Sequence, residues 1–243
     1  CAADLAEVGV SVLHLHVRDE RGNHVLDADL YRAATDAIRE RVGETLVLQV
    51  TTEAVGQYDR RQQMALVREL QPEAVSLALR ELCPDREAEA EAGGFFCELV
   101  EKGVWPQYIL YSAAEATRFE QLRQDGLFGT ETPFALFVLG RYSDALLGDP
   151  AELDSFLDTR ESGAYPWAVC CFGATEAAAV QRAADAGGHV RIGFENNRTL
   201  PDGTLARDNA QLVAAELGVI ASSAVSVRPI ASAYWVRRHL AGK

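Results

Sequence analysis

Positive charge is scarce in this 243-residue chain: 23 Lys and Arg stand against 36 Asp and Glu, a formal net charge of −13 with a pI near 4.8. A surface of that sign repels phosphate backbones and anionic headgroups, which argues against nucleic-acid and membrane-surface roles. No apolar run approaches the ~18 residues a membrane span requires, and no signal peptide is visible. Cys1, Cys83, Cys97, Cys170 and Cys171 are odd in number and form neither a CxxC pair nor a Cys/His zinc-finger spacing. They read as buried or incidental thiols of a reducing cytoplasm. Walker and GxGxxG phosphate loops are missing, as are linkers, low-complexity tracts and charge blocks. These absences leave an acidic, soluble, cytoplasmic globular protein of roughly 1.6 domain lengths, able to bury a large core.

Seven short apolar runs (residues 11–17, 45–52, 74–79, 107–112, 133–139, 166–172 and 189–194) each have the length of a strand buried on both faces. Between them lie helical patterns at 29–41, 60–70, 86–102, 114–126, 149–160, 175–186 and 209–217. The first carries Leu30, Ala33, Ala34, Ala37 and Ile38 on one side, with Asp27 or Asp29 placed to cap it. Strict strand–helix alternation implies parallel strands joined by crossover helices, hence an α/β fold. Seven units fit either an open doubly wound sheet or an eight-stranded barrel without its first strand. Residues 2–8 read as the end of a helix preceding the first visible strand, and one more strand before it completes a (β/α)8 TIM barrel of the usual ~250 residues. We therefore expect one barrel domain over 1–243, its first strand missing, with 226–240 an extra terminal helix packed outside it. Either the missing strand precedes residue 1 in a longer chain, or the bare edge, whose backbone groups would be unsatisfied, is expected to be covered by a partner copy in a homo-oligomer or by the chain's own C-terminal segment.

The strongest chemical signal is His14-Leu15-His16 at the end of the first run. Positions i and i+2 of a strand share a face, so both imidazoles project together, where barrel active sites are built. Two of the five histidines share this face. They read as metal ligands, with Zn²⁺ the natural guess, or as half-buried histidines in ordinary hydrogen bonds. Zinc needs a third ligand, and Glu195, just past the last run, would emerge at the same rim. A two-histidine, one-carboxylate set leaves the metal open to water or substrate. The other reading of Glu195-Asn196-Asn197 is a polar loop.

HLHVRD (14–19) and GGHVRIGFENN (187–197), in this order and at this separation, resemble the β-keto acid cleavage enzyme family. The resemblance spans nearly the whole chain: PEAVSL (72–77), the LG at 139–140 and DNAQLV (208–213) fall where that family carries similar segments. It implies a zinc-dependent barrel that takes a β-keto acid and acetyl-CoA to acetoacetate and a new acyl-CoA. It also implies that His14, His16 and Glu195 hold the zinc. Arg191, on the last run and aimed at the barrel mouth, is the expected holder of a carboxylate or oxyanion, or else a structural salt-bridge partner.

The chain also departs from the family pattern. Glu-Asp-Asn after the last strand is here Glu195-Asn196-Asn197, and the amide of Asn196 cannot act as the base its Asp counterpart would supply. A Ser-Thr-Gly-Gly-like turn is replaced by Val50-Thr51-Thr52-Glu53, and an acidic segment after a strand proline by Gln107 onward. Glu53 is thus the candidate base, unless a bound water serves. Thr51, Thr52 and Ser76 are candidates to bind a substrate carboxylate, or simply finish strands. A neutral, apolar or bulky substrate tail fits the lost acids. Three other classes are weaker: an amidohydrolase-type zinc barrel, for which later strands offer only His189; a zinc-binding homologue without catalysis; and a cupin-like barrel, against which the repeated helices argue.

Overall fold

The computed structural model describes every residue except 162, 224, 226, 227, 242 and 243. Its seven strands are β1 (Val12–Leu15), β2 (Val47–Thr51), β3 (Ala74–Ala78), β4 (Trp105–Leu110), β5 (Phe134–Leu139), β6 (Trp167–Cys171) and β7 (His189–Val190). They pair in chain order and all in parallel. That order belongs to a barrel, since a doubly wound sheet reverses direction at a switch point. The sheet is a curled half-barrel with β1 and β7 as its edges.

Helices separate the strands: α1 (Ala2–Glu7), α2 (Ala28–Val42), α3 (Arg60–Leu70), α4 (Leu79–Leu82), α5 (Glu89–Glu101), α6 (Ala113–Gln124), α7 (Glu152–Leu157), α8 (Glu176–Asp185), α9 (Asn209–Ala221) and α10 (Ala233–His239). Their starts follow local chemistry. Asp27 accepts from Leu30 N at 2.9 Å, and Asp59 forms a capping box with Gln62. None of the described helices is long and apolar enough to cross a membrane. All five cysteines are free thiols.

Alternation along the strands makes two apolar layers. Leu15, Val50, Val75, Phe137 and Cys171 pack against the helices, whereas Val47, Ala74, Ile109, Leu136 and Cys170 fill the barrel interior. Adjacent Cys170 and Cys171 therefore part to opposite sides. Gly187 has φ +83°, and a Cβ on Gly188 would run into the Trp167 ring, so this pair serves as tight punctuation between α8 and β7.

Two expectations are corrected. The last run was expected to be a strand through residue 194, but β7 has two residues. Arg191 N still donates to Val169 O at 2.8 Å, after which Asn196 N and Asn197 N both donate to Gly193 O and turn the chain. The terminal helix was expected over 226–240 outside the barrel. Residues 226 and 227 lie outside the described residues, 228–232 are irregular around Pro229, and α10 begins after Ser232, which accepts from Trp235 N at 3.1 Å. Nor does α10 lie outside: Ala233 and Val236 join the interior layer. Arg237 donates to the carbonyls of Glu44 (2.7 Å) and Leu46 (2.9 Å) and to the Glu73 carboxylate. The helix plugs the amino-terminal mouth and leaves the carboxyl-terminal mouth free. Ahead of it, Arg228 bonds Gly188 O and Ser11 Oγ bonds Ala231 O, so residues 228–232 cross from β7 to β1. Above that crossing, a cleft of about 1330 Å³ lies between the two edges, flanked by α1 and α9.

Helices α8 and α9 bury two carboxyl groups, Glu176 and Glu216. Neither oxygen of Glu216 has a hydrogen-bond partner among the described residues, and burial pushes its carboxyl up to about 7. The folded state thus retains a proton that the unfolded chain releases above about pH 4.5, so stability falls as pH rises from there through 7. Glu216→Gln is expected to be more stable than wild type at pH 8, with an advantage about 2 kcal/mol larger than at pH 5. Urea unfolding at the two pH values measures it.

Candidate metal centre

His14 in strand β1 and His16 just past its end face the barrel mouth, and Leu15 between them joins the helix-facing layer. His14 sits in register with Gln49 of β2, and its Nδ1–H donates to Gln49 Oε1 at 2.9 Å. That bond fixes the tautomer and leaves the Nε2 lone pair pointing into the mouth. Burial, with the nearby Arg191 charge, holds the His14 imidazole well below its ordinary pKa, so it stays neutral and able to bind a cation.

The opposite edge supplies Glu195, carried by the turn after β7. Its Oε2 lies 3.8 Å from His14 Nε2 and 3.4 Å from His16 Nε2, and the two imidazole nitrogens are 3.1 Å apart. Donors on a tetrahedral zinc, at bonds of 2.0–2.2 Å, stand about 3.3–3.5 Å from one another. The three atoms therefore fit a small borderline cation by both type and spacing, and among the described residues they are the one such group. Burial opposes ionisation of Glu195, but its hydrogen bond with His16 and the Arg191 charge outweigh it and keep the carboxylate charged. Arg191, largely buried, forms an ion pair with the same Oε2.

The other predicted residues are placed as follows. Glu53 Oε2 is 3.8 Å from His16 Nδ1, and its Oε1 faces Arg141 Nη2 at 3.4 Å. Thr51 lines the mouth and accepts from Glu53 N at 3.1 Å. Ser76 lies in the mouth, buried, its hydroxyl without a partner among the described residues. Asn196 lines it too, donating from Nδ2 to Arg191 O at 3.3 Å, with Oδ1 lacking a partner among the described residues. Thr52 is a correction: its hydroxyl donates to Ser76 O at 3.1 Å and it does not line the mouth, because adjacent strand residues face opposite ways. His24, in the turn after β1, is buried and bonds Glu53 O at 3.0 Å. Asp19 orients no metal-binding histidine. It closes the 19–23 turn by accepting from Arg21 N and Asn23.

Three site residues were missed. Gln49 carried a signal, as a lone amide in an apolar run. Arg141 and Tyr111, which join Ile109, Val138 and Phe172 in the mouth, carried none.

Parallel strands in barrel order, with an imidazole pair and a carboxylate at their carboxyl ends, define an α/β-barrel protein whose candidate site occupies the face where such barrels do chemistry. The family profile described as beta-keto acid cleavage enzyme matches residues 1–241, and the chain belongs to that enzyme family. It is 28% identical over 214 residues to a 3-keto-5-aminohexanoate cleavage enzyme of Fusobacterium nucleatum, covering 85% of this chain and 75% of that protein. A protein of the same name from Acetoanaerobium sticklandii is 26% identical over 212 residues, covering 85% and 76%. A 3-dehydrocarnitine:acetyl-CoA trimethylamine transferase of Rhizobium meliloti is 27% identical over 256 residues, covering 93% and 82%. Among solved structures, a type I 3-dehydroquinate dehydratase from Clostridium difficile superposes with a TM-score of 0.59 at 12% identity, covering 91% of this chain and 86% of that one. At that identity the likeness concerns the fold alone.

Gln49→Ala is expected to weaken zinc binding roughly 10–100-fold by freeing the His14 tautomer and ring. Chelator competition checks this, with circular dichroism confirming an intact fold.

Proposed function

We propose that this chain is a zinc-dependent β-keto acid cleavage enzyme, condensing a β-keto acid with acetyl-CoA to give acetoacetate and a new acyl-CoA. The observation that carries this reading is the His14–His16–Glu195 cluster beside Arg191 and Glu53, in a chain of this family. The names of the relatives, a keto-acid cleavage enzyme and an acetyl-CoA-dependent transferase, support both substrates. Zinc held by His14, His16 and Glu195 supplies a Lewis acid that polarises the substrate ketone and acidifies the carbon between ketone and carboxylate.

Glu53 takes the proton from that carbon. Besides Glu195 it is the one carboxylate among the described residues lining the mouth, and Asn196 has no basic atom to offer. The carbon then bonds to the acetyl carbon of acetyl-CoA, whose C–S bond breaks to release CoA thiolate. Thiolate attack on the original ketone forms the new C–S bond and breaks the older C–C bond. The proton held by Glu53 returns, leaving acetoacetate and the new acyl-CoA. Arg191 holds the carboxylate and stabilises the oxyanions, while Ser76 and Thr51 contribute hydroxyls. The substrate tail meets Ile109, Val138 and Phe172, which favours a neutral, apolar or bulky group over an amine.

The test is mass spectrometry of products from zinc-loaded protein given acetyl-CoA and a panel of β-keto acids. Acetoacetate with the matching acyl-CoA is expected, and neither product from any acid would overturn the reading. Glu53→Gln is expected to lower kcat by roughly 10²–10⁴-fold with zinc content unchanged. Wild-type turnover in that variant would remove Glu53 as the base.

A further inference from the structure

We propose that Glu176 is a positioning residue for the metal centre: from the first turn of α8, its carboxyl group holds the Asn196–Asn197 turn where Glu195 can reach His14 and His16. The inference rests on the metal-site reading above.

An acidic residue in the first turn of a helix ordinarily sits near solvent, facing the free N–H groups. Glu176 is instead fully buried and directed at the turn after β7. Its Oε2 accepts from Asn197 Nδ2 at 3.1 Å. The same amide also donates to Thr199 O at 2.7 Å and accepts from Thr199 N at 2.8 Å, so Asn197 is gripped on three sides. One residue earlier, Asn196 O accepts from Gly173 N at 3.0 Å, in the connection leading into α8. The β6–α8 segment therefore fastens the turn twice, once through backbone and once through Glu176. Asn196 and Asn197 are themselves buried, although Glu195 between them and Gly193 reaches out to the mouth.

Keeping a carboxyl group there is unfavourable on packing grounds. Its Oε1 has no partner among the described residues, and Glu216 of α9, likewise unpartnered, lies nearby. A buried polar group without full hydrogen bonding costs stability that an apolar side chain would not. Thr175 at the helix start donates to Gly148 O at 2.6 Å and makes no side-chain cap, so capping gives Glu176 no reason to be there either. What the carboxyl does provide is an acceptor for Asn197. Burial, with Glu216 beside it, pushes Glu176 up to about 8, so the group is neutral near pH 7 and close in shape and hydrogen bonding to glutamine.

The experiment compares wild type, Glu176→Gln, Glu176→Ala and Asn197→Ala for zinc affinity by chelator competition. The visible spectrum with cobalt(II) in place of zinc reports the ligand sphere, and circular dichroism with thermal melts reports the fold. Glu176→Ala and Asn197→Ala are each expected to weaken zinc binding roughly 10–100-fold and to alter the cobalt spectrum. Glu176→Gln should match wild type in both. Asn197→Ala cuts the same bond while leaving the carboxyl in place, so it decides the matter if Glu176→Ala does not fold. Wild-type affinity in a folded Glu176→Ala or in Asn197→Ala would overturn the inference alone, as would a glutamine variant as weak as alanine. A wild-type protein that binds no zinc would overturn the metal-site reading together with this inference.

Discussion

Everything at the functional end of this molecule depends on where the Glu195 carboxylate sits. It is carried by one edge of the half-barrel and meets two imidazoles from the other, with the Arg191 guanidinium on the same oxygen. β1 and β7 share no ladder pairing among the described residues, so side-chain contacts bring the two edges together at the carboxyl ends. In a partly dry mouth such contacts are far stronger than in water. The Arg191 guanidinium offsets the charge of the Glu195 carboxylate, and the acidic protein around the site adds to the attraction for a cation.

The two ends of the barrel divide their tasks. At the amino-terminal mouth, α10 inserts Ala233 and Val236 into the interior layer and ties Arg237 to Glu73 and to carbonyls at the start of β2. At the carboxyl-terminal mouth the strands end in polar and titratable groups instead. The separation lets the first end be packed for stability while the second stays open for chemistry.

Much of this was legible in the sequence. The strand positions followed from short β-rich runs, the cap of α2 from Asp27, and the imidazole pair from the period-two geometry of His14 and His16. What was hidden depends on contacts between distant segments. The shortening of β7 comes from amides folding back on Gly193, which no periodicity records. The place of α10 is decided by which layer Ala233 and Val236 complete, and an amphipathic pattern cannot distinguish inside from outside. Thr51 and Thr52 were equal candidates as hydroxyl donors, and a register of one residue puts their side chains on opposite faces. Gln49 and Glu176 act through other residues, Gln49 on the His14 ring and Glu176 on the turn that carries Glu195. Residues in such roles have no fixed spacing from the groups they orient.

The central claim is that His14, His16 and Glu195 together hold one zinc. It is tested most directly by elemental analysis of the untreated protein beside a His16→Ala variant shown to be folded. The account predicts about one zinc per chain in the wild type and almost none in the variant. Wild-type protein without stoichiometric zinc, or a variant that retains it, would contradict the account.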